Sequence, residues 1–62
     1  MTKLILTPNL PNADDVYADI LAAHDGLAFE ESAALNARLI LILANHIGDA
    51  DLIRDALKEA LA

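Results

Sequence analysis

The chain has no cysteine and no tryptophan, and its only aromatic residues are Tyr17 and Phe29. Without cysteine there can be no disulfide framework and no thiolate metal site. With so few aromatics, any core has to be built from aliphatic side chains. Positive charge is scarce too: four Lys and Arg stand against ten Asp and Glu, for a net charge of −6. A negative field repels phosphate backbones, so nucleic acid is not an expected partner. Long apolar runs are also missing. The longest, Leu39 to Ala44, falls far below the roughly 18 to 20 residues needed to span a bilayer. The run Leu4 to Leu6 near the N-terminus is shorter than the roughly 7 to 15 residues of a signal-peptide core, and no small-residue cleavage site follows it. No membrane association is expected, and the default location is the cytoplasm.

What the chain does have is aliphatic surface. Hydrophobic residues make up 56% of the sequence, chiefly Leu, Ile and Ala, which favours helices before any pattern is consulted. At 62 residues the expectation is a single domain near the lower limit for independent folding, since a chain of about 60 residues buries only about 60% of the surface it exposes when unfolded. Small domains make up the shortfall with disulfides, metals or partner subunits. With no cysteine, good helix packing and oligomerisation remain.

Residues 1–11 read as an extended arm. Lys3 to Thr7 have strand-like content, but Pro8 and Pro11 stop it by removing amide donors. A lone strand cannot stand by itself, so Leu4 and Leu6 must lie on this chain's helices or on a partner. A first helix is expected over about residues 13–24, with Asn12 as N-cap and Asp14 and Asp15 in the first turn, where carboxylates suit the positive end of the dipole. Val16, Ile20, Ala23 and Leu27 form its stripe, widened by Tyr17 and Leu21, and Gly26 suits the left-handed residue after a last turn. A second helix is expected over 29–47, with Glu30 and Glu31 in its first turn, a poor cap in Ala28, and Gly48 as its stop. A third is expected over 50–61, capped by Asp49, with Leu52, Ile53, Ala56 and Leu57 on its apolar face and an Asp55–Lys58 pair outside. The fold class is all-α: a three-helix domain behind an extended N-terminal arm.

The middle helix carries more apolar surface than such a domain needs. Placed 100° apart, Leu35, Leu39, Ile42 and Leu43 cover one side, the stripe a three-helix core requires. Ala33, Ala37, Ile40, Ala44 and Ile47 lie largely on another, and Leu41 faces a third. A helix apolar nearly all round belongs inside a packed structure, and two short amphipathic neighbours cover about half to two-thirds of it. An exposed remainder usually marks an interface. The expectation is a homodimer in which helix two meets its copy across a two-fold axis, with Leu4, Leu6, Ile40, Leu41, Ala44 and Ile47 as candidate interface and Leu43 in the core. The competing arrangement is an arm that folds back to complete a monomeric core.

The polar residues of the second helix are the candidates for chemistry. Asn45 and His46 sit near its end, where they can satisfy unpaired carbonyls, and a charged His46 would suit the negative end. Arg38 needs a carboxylate partner, available in Asp14, Asp15 or Asp19 or across an interface. Asn36 can fix register between helices, as single buried asparagines do in coiled coils. A metal site pairing His46 with His24 and Asp25 or Asp49 lacks the three or four ligands at defined spacing that zinc requires. No cofactor, metal or catalytic residue is expected, and a catalytic pocket would be hard to form in so small a core.

The runs "LTPNLPNADDVYADILAAHDGL" and "EESAALNARLILILANHIGD" resemble the small bacterial family catalogued as domain of unknown function 2783, over nearly the whole chain. "NLPNADDVY" and "LNARLILILANHIGD" are the most specific parts. The resemblance implies bacterial proteins of about this length with no assigned activity, and a loose association with operons for aromatic-compound breakdown that encode flavin-dependent hydroxylases. It carries over no functional residues. The expected function is therefore a non-catalytic helical protein that self-associates and acts as an interaction or accessory subunit, with a larger enzyme of aromatic catabolism as a further partner. The alternative is a small ligand-binding protein or enzyme whose site lies at the dimer seam around Arg38, Asn45 and His46.

Overall fold

The structure, a computed structural model, describes residues 3–62. Three α-helices, α1 (Ala13–Ala23), α2 (Phe29–Ile47) and α3 (Ala50–Leu61), follow an arm without regular structure. Among the described residues there is no strand, so the chain is all-α. The expected part of the arm that falls on residues 1 and 2 lies outside the described residues.

Each helix starts and stops for a local reason. At α1, the Asn12 carbonyl accepts from the Val16 amide at 3.1 Å, but the Asn12 side chain makes no cap bond. Its backbone, with ψ near 52°, is not in the extended conformation that aims a cap side chain at the first-turn amides. Asp14 and Asp15 still offer charge to the exposed amides there. The helix ends at Ala23, one residue before the expected His24, as the His24 and Asp25 amides donate to the Leu21 and Ala22 carbonyls, both at 3.1 Å. Gly26 then takes a φ of +76°. At α2, Ala28 offers no side-chain cap, but Glu31 Oε1 accepts from the Ala28 amide at 3.0 Å. This is half of a capping box, because the Ala28 methyl can accept nothing in return.

The corner between α2 and α3 is tight. Gly48 adopts φ +69°, and its amide donates to the Ala44 carbonyl at 3.0 Å. Asp49 then caps α3, its Oδ1 accepting from the amides of Asp51 at 2.9 Å and Leu52 at 3.2 Å. One residue closes a helix and the next opens another. On α3 the ion pair is Arg54 with Asp51 at 3.0 Å, not the expected Asp55 with Lys58.

Packing is open. Among the described residues, Cα atoms of α2 and α3 approach within 8 Å, whereas none of α1 comes that close to either. Instead α1 faces α2 across an open groove of about 220 Å3, lined by Val16, Ile20 and Ala23 on one side and Leu35 and Leu39 on the other. The arm lies along α3, where Lys3, Leu4 and Leu6 border a groove with Asp51, Asp55 and Lys58. Leu4 is half-buried there and Leu6 is exposed.

No described residue is buried. The accessible surface is 5598 Å2, against about 3,900 Å2 for a compact monomer of this mass. The Cα radius of gyration is 13.4 Å, against about 10.6 Å for a compact chain of this length. Leu43, expected in the core, is 50% exposed, and Ile42 is 65% exposed. α1 stands off from α2, so the stripe meant for a three-helix core lies open.

Candidate functional site

The prominent feature of the described surface is the exposed apolar residues of α2, which lie on more than one side of the helix. Ile40 is 62% exposed, Leu41 70% and Ile47 52%. Of the other candidate interface residues, Ala44 and Leu4 are half-buried and Leu6 is exposed. Phe29 at the head of α2, which the sequence did not single out, is 86% exposed on the same side as Ile40 and Ile47; Ile42 and, in the arm, Leu10 are exposed elsewhere. The available signal for Phe29 was its position alone, since a large aromatic side chain in a first turn has no preceding turn of its own helix to lie against.

This chain's own helices border α2 along its flanks without burying it. Leu35 and Leu39, beside α1, are half-buried, as are Ala44 beside the α2–α3 corner and Ser32 in the first turn. The face between them is open. An exposed apolar surface on a folded chain usually marks a contact surface.

The polar candidates do not converge. Arg38, Asn45 and His46 are all exposed, and among the described residues their side chains make no hydrogen bond or ion pair. Arg38 has no carboxylate from Asp14, Asp15 or Asp19. Asn45 borders a shallow hollow at the α2–α3 corner with Gly48, Asp49, Ile53 and Arg54, and neither Arg38 nor His46 reaches it. His24 lines the α1–α2 groove, which His46 does not share. Among the described residues no three His, Asp or Glu side chains gather in a metal-binding group. None of the three helices is long and apolar enough to cross a membrane.

No curated protein and no solved structure matches the chain. A family model does, that of the protein of unknown function DUF2783, over residues 4–62. That span takes in all three helices and nearly all of the arm, including the two runs that carried the resemblance, and the chain therefore belongs to the DUF2783 family.

Proposed function

We propose that this protein is a non-catalytic helical subunit that forms a homodimer through α2, and that the dimer serves in the bacterial cytoplasm as an interaction or accessory component for a larger protein. The carrying observation is the absence of any buried residue in the described chain. An unfolded chain of 6.6 kDa would expose about 9,600 Å2, so the lone subunit hides only about 40% of that, well short of the roughly 60% typical of a domain this size. The excess over a compact monomer is about 1,700 Å2, roughly twice the 800 Å2 that each partner gives to a standard interface. That quantity belongs to the range of obligate dimers, whose interfaces resemble a domain core divided between two chains.

The alternative site at the seam has weaker support, because Arg38, Asn45 and His46 share no hollow. Sedimentation equilibrium at micromolar concentration tests the proposal. A mass of twice 6.6 kDa is expected, and a single species at the monomer mass would refute the dimer. Co-purification from the native bacterium tests the accessory role: a stoichiometric larger protein is expected, and recovery of the homodimer alone would refute it.

A further inference from the structure

We infer that the two α2 helices of the dimer run antiparallel, with the two-fold axis crossing them near the level of Arg38. The inference rests on self-association through α2 and adds its direction and register.

Phe29, Ala33, Asn36, Ile40, Leu43 and Ile47 follow one another at spacings of four, three, four, three and four. At 100° per residue they form one stripe about 80° wide along the whole helix. Every member of that stripe is exposed. The half-buried residues lie to either side of it: Leu35 and Leu39 toward α1, with Ser32 on the same side of the helix wheel, and Ala44 toward α3. Directly behind the stripe run Glu31, Arg38 and Asn45, seven residues apart, the one continuous polar line on the helix. A polar line behind it, half-buried residues to either side and alternating spacing give this stripe the features of a helix edge that meets one further helix; Leu41 and Ile42, 70% and 65% exposed, lie outside it.

The order of residues within the stripe sets the direction. Its spacing reads the same from either end, so an antiparallel copy meets it in register. Phe29 then faces Ile47 of the second copy, Ala33 faces Leu43, and Asn36 faces Ile40. The small Ala33 opposes the large Leu43, a match that close packing favours. The two Asn36 side chains fall on opposite sides of the two-fold axis, roughly 6 Å apart along the helix direction, where they can pair with each other. A parallel pair would set Ala33 against Ala33, leaving a void, and would crowd Phe29 against Phe29. It would also place Glu30 and Glu31 of both chains side by side, whereas the antiparallel pair brings these carboxylates to the end that carries His46 and aligns opposite dipole ends.

The cysteine-free chain permits a direct test. Ala33→Cys and Leu43→Cys are made separately, mixed in equal amounts and equilibrated in a glutathione redox buffer. The disulfide species are then separated by mass. The antiparallel seam predicts that the mixed disulfide exceeds the two homodisulfides together about ten-fold. A second pair, Phe29→Cys with Ile47→Cys, reports the same register at the helix ends and serves if Leu43→Cys loses helical circular dichroism. Sedimentation of the reduced variants runs alongside. A monomer mass would refute self-association and this inference with it, leaving the face to a different protein. A dimer that yields homodisulfides, or no α2 cross-link at all, would overturn the orientation and leave self-association standing.

Discussion

Ile40→Ala is the substitution that separates the lone subunit from the dimer most cleanly. Ile40 sits mid-helix on the open stripe and is 62% exposed in the subunit. If the subunit acted alone, removing most of an already exposed side chain would change stability by less than about 0.5 kcal/mol. If a second copy covers it, that exposed fraction is buried on association. Fully burying an isoleucine is worth about 1.5 to 3 kcal/mol, so the fraction still open contributes about 1 to 2 kcal/mol per chain. The two-fold axis counts it twice. The dimer should therefore weaken by about 2 to 4 kcal/mol, which raises Kd about 30- to 700-fold. Sedimentation equilibrium over a dilution series reads this directly, with far-UV circular dichroism recorded on the same samples. Because the subunit has no buried core, helix content should fall as the variant dissociates. An unchanged Kd for Ile40→Ala would refute the burial of this face by a second copy.

Other consequences follow from the helix ends and the surface. Asp49→Ala removes an acceptor that serves two amides at the head of α3 and should cost about 1 kcal/mol in urea unfolding; no loss would mean that the cap contributes nothing. Gly48→Ala should cost about 1 to 2 kcal/mol, because a Cβ must then sit at φ +69°. The nearest atom, the Asn45 carbonyl oxygen, is 3.8 Å from that Cβ, so the loss is backbone strain and not a clash. A neutral result would contradict the left-handed assignment. Arg54→Ala breaks an ion pair whose side chains are 69% and 90% exposed, so a shift beyond about 0.5 kcal/mol would show that Arg54 meets something besides Asp51.

The helix boundaries were largely legible in the sequence, and for physical reasons. Pro11 and Asn12, Gly26, and the pair Gly48 and Asp49 punctuate the chain with residues whose backbone and side-chain chemistry is local. The structure places α2 and α3 over the expected residues and ends α1 one residue early. Local competition was less legible. Asn12 had the right chemistry for a cap but not the backbone angles. Glu31 tied down the Ala28 amide from three residues away, although the side-chain cap itself stayed missing. Asp51 and not Lys58 drew the ion pair on α3. Least legible was how far apart the helices stand, because spacing along one helix does not say how closely its neighbours approach. Leu43 and Ile42 lie on a sound core stripe by periodicity, yet they remain open because α1 faces Leu35 and Leu39 across a groove. Of the candidate polar site, the residues were visible in the sequence but their failure to meet was not: Arg38 and Asn45 are near neighbours on the helix wheel, yet only Asn45 reaches the hollow at the α3 corner.

Thermal unfolding of the unaltered chain, followed by far-UV circular dichroism across a hundred-fold range of concentration, tests most directly whether one copy can hold this fold. Folding coupled to dimerisation makes Tm rise with concentration, and helix content should be lost at the dilute end even before heating. A Tm that stays fixed across the range, with full helix content in the most dilute sample, would contradict the account.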